Sequence, residues 1–439
     1  MTSLVWFRQD LRLADQPALA AAVDSGPTAC LYVLDDDTPG EWRVGGAQRW
    51  WLHHSLTSLQ RDLKAKGGTL ILRQGPAAAT GAKVADEVGA TSIHATRHYE
   101  PWWRAAEGEL GKRVTLHDAD TLVPPERLLN GSGKPFKIFG PFYRALEAQL
   151  PPAEPRSAPT RIVAPDTASS TDRLEDWHLL PTRPDWATGF SVWQPGEAGA
   201  NDHLMRFAAE AGTYAERRDL PSEVGTSNLS PHLHHGEISP RAVWHALDDR
   251  AGDKFRRELA WRDFSRAVSL ADPELGNREQ RPLPLRHRTG PEADSDFAAW
   301  SEGRTGYPIV DAGMRQLWET GWMHNRVRLI TASFLVKHLL IDWRRGAQWF
   351  WDTLVDADYA NNGQNWQWIA GTGFDSQPFY RIMAPLLQSA KFGAANYIRR
   401  WVPELAEKDD VAIHEAHDPI VGHREARERA LAAYAGTKA

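Results

Sequence analysis

Short apolar runs at residues 4–7, 30–34, 70–72, 92–95 and 114–116 are separated by segments 47–66, 77–88 and 102–110, whose apolar positions recur with helical spacing. Runs of that length predict buried strands, and the segments between them predict amphipathic helices. Their alternation predicts a parallel sheet with helices on its faces, a Rossmann-like α/β domain over residues 1–130. Beyond residue 201 strand-like alternation nearly vanishes. Segments 202–211, 241–249, 254–269, 309–319, 328–340 and 347–355 carry helical spacing, which predicts an all-α domain over 201–439. Between the two, Pro151, Pro152, Pro155, Pro159, Pro165, Pro181, Pro184 and Pro195 mark a linker, taken as residues 131–200, that wraps the molecule without a core of its own.

The chain's 439 residues exceed what one core serves, and 42% hydrophobic with 25% charged residues describes a globular protein. Cys30 is the single cysteine and excludes an intramolecular disulfide framework. Neither a signal peptide nor an apolar stretch of membrane-spanning length is visible, so a cytoplasmic protein without membrane attachment is expected. A net charge of −6 argues against adhesion of the whole surface to nucleic acid but leaves room for a local basic face.

The first strand ends in Phe7-Arg8-Gln9-Asp10-Leu11-Arg12 with no glycine-rich turn, so a dinucleotide fingerprint is absent there. Arg8, Asp10 and Arg12 read most simply as a solvated connection. Gly225-Thr226-Ser227-Asn228-Leu229-Ser230-Pro231 precedes a predicted helix, where hydroxyls and backbone N–H groups either hold phosphate oxygens or merely cap the helix. Glu258, Trp261 and Arg262 share a helical face, as a packing surface or as part of a site. Gly321-Trp322-Met323-His324-Asn325-Arg326-Val327-Arg328 opens a helix suited to an anionic ligand. From Asp356 to Trp368 two carboxylates, three asparagines and two indoles crowd what reads as a short loop. Hard-cation binding is the rival use of Asp356 and Asp358, but calcium-loop spacing is missing and Arg328 is available to neutralise Asp356. His232, His234 and His235 do not converge on one helix face and have no zinc-spaced partner, so no metal is expected.

These motifs, with Gly306-Tyr307-Pro308-Ile309-Val310-Asp311 and much of the sequence from there to Pro385, resemble the DNA photolyase and cryptochrome flavoproteins, most closely class I bacterial cyclobutane pyrimidine dimer photolyases. The resemblance spans nearly the whole chain. It implies an N-terminal antenna domain and a helical domain holding FAD, active as the reduced form. Carried over by position, Tyr214, Thr226, Ser227, Asn228, Leu229 and Ser230 match flavin phosphate and ribityl contacts. Arg262, Asn325, Arg328, Asp356, Ala357, Asp358 and Asn362 match the surroundings of the isoalloxazine and adenine, with Asn362 against flavin N5. Glu258, Trp261, Asn325, Arg326, Leu329, Trp368 and Arg381 match a pocket for a dimer flipped out of DNA, where aromatic walls replace lost stacking. Arg218, Arg326 and Arg381 match phosphate contacts. The implied chemistry is light-driven electron donation from reduced FAD to the dimer, ring splitting and electron return, by a protein expected to be monomeric.

Departures from the family pattern qualify this picture. Trp366 and Trp343 match the inner and middle electron-hopping indoles, but the outer position falls near Gly290, leaving Trp318, Trp349 or Trp351 as other exits. Trp318, Trp322, Trp349 and Trp351 are otherwise expected to pack helices. Leu329 replaces a methionine and His235 a phenylalanine. His324-Asn325 lacks the second histidine of (6-4) photolyases, which favours the cyclobutane dimer. Trp102 and Trp103 stand where folate-binding relatives carry Asn and Glu, so the antenna is methenyltetrahydrofolate, a deazaflavin or none. Two rival functions remain: a cryptochrome-type blue-light photoreceptor with little repair, and a colourless single-strand-binding protein.

Overall fold

A computed structural model of the chain describes residues 1–247 and 252–437. The fold is an N-terminal α/β domain followed by helices, as the periodicity predicts. Five strands, β1 (Thr2–Phe7), β2 (Thr28–Leu34), β3 (Leu70–Gln74), β4 (Ala90–Thr96) and β5 (Val114–His117), form one parallel sheet in the order β3-β2-β1-β4-β5. Central β1 pairs Val5 with Cys30 on one side and with His94 on the other. Crossovers come from α1 (Pro17–Ser25), α2 (Gly46–Ala65), α3 (Ala77–Glu87) and α4 (Pro101–Leu110). Because helices cover both faces, β2 is buried along its whole length and its sequence is a continuous apolar run rather than an alternation.

The remaining helices are α5 (Phe139–Glu147), α6 (Glu197–Glu210), α7 (Tyr214–Arg217), α8 (Ser230–His234), α9 (Pro240–Ala246), α10 (Gly252–Ala271), α11 (Pro291–Ser301), α12 (Pro308–Thr320), α13 (Asn325–Ser333), α14 (Trp343–Thr353), α15 (Tyr359–Ala370), α16 (Pro385–Lys391), α17 (Ala395–Trp401) and α18 (His423–Gly436). Asp248 and Asp249, expected to end the helix begun near Arg241, lie outside the described residues. Two compact units result. One holds residues 1–186, 191–212 and 227–273, and the other holds 187–190, 213–226 and 274–439. Helices α8 to α10 thus belong to the sheet-containing unit, which chain order alone does not suggest.

Within that unit, the proline-rich segment seals the open edge of the sheet. Thr171 Oγ1 accepts from Leu72 N at 2.9 Å and Asp172 N donates to Leu72 O at 2.9 Å, while Ile162 N donates to Lys66 O at 2.8 Å. The two bonds to Leu72 occupy groups on β3 that an edge strand otherwise leaves open to association, and the third ties the segment to the end of α2. The expectation of a solvated connection after β1 is corrected: Arg8, Asp10 and Arg12 are all buried. Arg8 meets Glu107 at 2.7 Å and Arg12 donates to Gly236 O at 2.8 Å, because a guanidinium without water needs a carboxylate or several carbonyls.

In the helical unit, α13 passes into a π-helical turn, Phe334–His338, and Trp366 on α15 packs over Gly346 of α14. A methyl group at Gly346 would overlap the Trp366 ring and Leu335. Gly346→Ala is therefore expected to destabilise the protein by about 1–3 kcal/mol, read as a lower urea midpoint. An unchanged midpoint would mean that the indole has room to move.

Candidate functional site

In the sheet-containing unit, α10 displays Glu258, Trp261 and Arg262 on neighbouring turns. Its register is set from below by charge. Asp120 receives Arg262 in a short ion pair and Arg266 Nε at 2.9 Å. Burial alone works against the Asp120 carboxylate, but the two guanidinium groups hold it below the usual range. The residue after Arg262 behaves oppositely. Asp263 accepts from Leu122 N at 2.8 Å, yet burial pushes its carboxyl up to about 7 against the opposing effect of Arg262. Arg262, matched in sequence to the flavin surroundings, is thus already paired with Asp120. Trp261 is half-buried, with one face of its indole stacked on Phe139.

Ser227, Asn228 and Leu229 lead into α8, which begins at Ser230. Asn228 has φ of +52°, which turns the chain sharply, and Leu229 N donates to Ser227 Oγ at 3.3 Å. The nearby histidines do not converge. His232 bonds Glu237, His234 bonds Gln48, and His235 stacks on Trp51. Among the described residues no three potential metal ligands cluster.

In the helical unit, His324 caps α13 by accepting from Arg326 N at 3.2 Å. Burial lowers this imidazole to about 4, so it stays neutral and able to accept. The cap sets the order of the next side chains. Asn325 is exposed. Arg326 meets Asp219 at 2.9 Å and lies over Phe392, while Arg218 lies 3.7 Å from the same carboxylate and over Tyr214. One carboxylate between two guanidinium groups leaves net positive charge. Arg328 donates to Met323 O at 2.7 Å and to Asp356 Oδ2 at 2.8 Å. Asp356 Oδ1 is buried with no hydrogen-bond partner among the described residues. Leu329 is half-buried beside these groups in sequence, and Ala357 is buried.

The segment read as a short loop from Asp356 to Trp368 is corrected: from Tyr359 it is helix α15. Asp358 Oδ1 accepts from Asn361 N at 2.8 Å and caps it, a pattern masked in sequence because three Asn residues also favour turns. On this helix Asn362 Nδ2 donates to Ala347 O at 2.9 Å. A carbonyl can only accept, so the amide is held with its own oxygen pointing away. Gln367 anchors the same helix by donating to Leu275 O and Arg278 O.

Trp366 and Trp343 are both buried but make no ring contact with each other among the described residues. Trp366 instead touches Phe350 at 5.0 Å and Trp300 at 6.4 Å between ring centres. From Trp300 the ring contacts continue through Phe297 and Trp349 to Trp318, which is stacked at 6.1 Å and is 52% exposed. Trp300 was not singled out in sequence, although Phe297 and Trp300 at helical spacing were a visible signal. Trp368 is half-buried, and Arg381 is exposed with its carbonyl accepting from Lys337 Nζ at 2.8 Å. Lys337 is fully buried in the π-helical turn, and burial lowers its amine to about 7. A lysine inside the apolar run from Phe334 to Leu340 was the sequence signal for this contact.

Comparison with known proteins accounts for both parts. A family model described as DNA photolyase matches residues 3–160, and one described as the FAD binding domain of DNA photolyase matches residues 255–436. A deoxyribodipyrimidine photo-lyase of Agrobacterium fabrum is 44% identical over 99% of this chain and 98% of its own. Cryptochrome-1 of Arabidopsis thaliana is 35% identical over 94% of this chain and 64% of its own. The crystal structure of a bacterial class III photolyase from Agrobacterium tumefaciens superposes with a TM-score of 0.94 at 45% identity, covering 100% of this chain and 98% of that one. The sequence motifs suggested class I, whereas this solved relative is of class III. No helix among the described residues is long and apolar enough to cross a membrane.

Asp263 gives the site a pH signature. Its carboxyl stands at about 7 in the fold against an ordinary 3.8, so the folded state binds the proton first as pH falls. The penalty for its buried charge is complete above pH 7 and is relieved as pH drops towards 4. Asp263→Asn is expected to gain stability over wild type above pH 7, with the difference shrinking towards pH 4, in urea melts across that range. Parallel pH profiles would refute this. Removing the cation from the second buried pair, by Arg328→Met, should cost about 3–5 kcal/mol by leaving Asp356 uncompensated, measured in the same way.

Proposed function

The chain belongs to the DNA photolyase family, and on that footing we propose that it repairs cyclobutane pyrimidine dimers in DNA, acting as a monomer with bound FAD. The enzyme class follows its full-length relatives named deoxyribodipyrimidine photo-lyase. When bound, reduced FAD supplies the photoexcited electron that opens the cyclobutane ring and takes it back afterwards.

The observation that carries the reading is Asp356, whose second oxygen is buried without a partner while the first is held by Arg328. An orphaned buried acceptor of that kind fits a polar cofactor edge that donates to it. Tyr214, Thr226, Ser227, Asn228, Leu229 and Ser230 would bind the phosphates and ribityl chain. Arg262, Asn325, Arg328, Asp356, Ala357, Asp358 and Asn362 would surround the rings. Because the Asn362 amino group is tied to Ala347, its oxygen is the end left to accept, which suits a ring nitrogen bearing hydrogen.

On the substrate side, Glu258 would accept hydrogen bonds from the thymine edges, and Trp261 and Trp368 would stack on the extruded dimer in place of neighbouring bases. Leu329 adds apolar contact. Arg218, Arg326 and Arg381 would take backbone phosphates. In the α/β part the antenna site would hold methenyltetrahydrofolate, a deazaflavin or no chromophore, and an absorption spectrum of the purified protein distinguishes the three.

The decisive experiment illuminates the reduced holoenzyme with a defined thymine-dimer duplex. Wild type should restore the thymines. Trp261→Ala should weaken dimer binding by the worth of one base–aromatic stack, about 1–3 kcal/mol, and Glu258→Ala should lower repair at saturating DNA. Absence of repair by wild type with full FAD occupancy would overturn the assignment and favour a light-signalling protein, a reading that the 35% identity to cryptochrome-1 keeps in view. A separate arm follows reduction of the oxidised flavin by light and a thiol. Trp343→Phe is expected to slow it severalfold. An unchanged rate would remove Trp343 from the path and turn attention to Trp300, Trp349 and Trp318.

A further inference from the structure

We propose that Phe139 is a positioning residue for lesion recognition: it covers the rear face of Trp261 and holds the indole as a one-sided stacking platform. The proposal rests on the reading of Trp261 as a wall of the dimer pocket. The two rings lie parallel, with centroids 3.7 Å apart and an interplanar angle of 6°. Free aromatic rings prefer offset or edge-to-face arrangements, because their quadrupoles repel in a full overlap. So close and parallel a stack is therefore imposed by the backbone that carries the rings.

The support behind Phe139 is built in depth. Tyr143, one turn later on α5, stacks near it at 5.6 Å and 23°. The Arg257 guanidinium lies 5.4 Å from the Phe139 ring and 4.6 Å from that of Tyr143. Tyr143 donates its hydroxyl hydrogen to Asp253 Oδ1 at 2.5 Å. Phe264 meets Trp261 and Phe139 edge-on, at 5.7 and 5.8 Å. Phe139 itself is 3% exposed, whereas Trp261 retains exposure that its covered face does not provide. A base can thus meet only the opposite face of the indole.

This matters for binding because an indole already fixed in place loses little conformational freedom when a base arrives. It also bears on selectivity. A dimer presents two joined rings that have lost their neighbours in the helix, while an undamaged duplex keeps its bases stacked and does not use the platform. Phe139 should consequently affect damaged DNA and leave undamaged DNA alone. Ordinary core packing makes the other forecast, a loss of stability with no change in selectivity.

The test uses the holoenzyme in the dark, with binding measured to a thymine-dimer duplex and to the same duplex undamaged. Phe139→Leu keeps an apolar side chain but removes the ring face. It should weaken dimer binding roughly 2- to 12-fold, the range of an aromatic pair's coupling, with undamaged binding unchanged. Phe139→Tyr should restore wild-type selectivity. In a Trp261→Ala background Phe139→Leu should have no further effect, since its action passes through the indole. Equal losses for both duplexes, or unchanged selectivity in a folded Phe139→Leu protein, would overturn the proposal. If Phe139→Leu fails to fold, Tyr143→Leu loosens the support from behind and must lower selectivity in the same direction. A wild type without preference for the dimer would instead sink the reading of Trp261, and the platform with it.

Discussion

A carboxylate taken out of water must be matched by positive charge, and Asp120 meets that demand with two arginines from one helix. By binding Arg262 and Arg266 it fixes both the rotation and the height of α10. Everything that α10 presents, Glu258 and Trp261 included, follows from that setting. Asp263, which follows Arg262 in sequence, stands 3.9 Å from the same guanidinium, and burial outweighs that distant cation, so its carboxyl rises to about 7. The two buried aspartates thus hold opposite protonation tendencies, decided by how closely, and by how many, guanidinium groups approach each.

The helical unit solves the same problem by other means. Helix starts carry the polar residues of interest, and each start is capped from its own sequence: His324 for α13, Asp342 for α14, Asp358 for α15. A cap satisfies backbone donors and simultaneously defines where the first turn points its side chains. Arg328 then reaches Asp356, and Asn362 reaches Ala347. Further along, the π-helical turn buries Lys337 and spends its amine on the carbonyl of Arg381, so an exposed arginine hangs from a buried anchor. π-helical turns recur at functional positions because one extra residue re-aims a side chain.

Aromatic residues divide by depth in the same way. Trp343 and Trp366 are enclosed, while Trp318 stacks on Trp349 with half its surface open, so packing alone does not describe it. In the other unit Trp261 is half-buried, with one face covered by Phe139.

The strands, the parallel sheet, many of the helices and the polar runs that form the candidate site were legible in the linear pattern, because local periodicity reflects which faces are buried, whereas α15 read as a loop. So was the family, through motifs spread over nearly the whole chain. The tertiary structure alone decided which charges and rings meet. Phe139 lay in a segment read as linker, Asp120 carried no motif, and Arg8 looked solvated until burial placed it against Glu107. Those partners are separated by many residues, and no period along the chain encodes them. Their meeting is settled by the requirement that buried charge be paired and buried volume be filled, conditions that exist only once the chain has closed on itself.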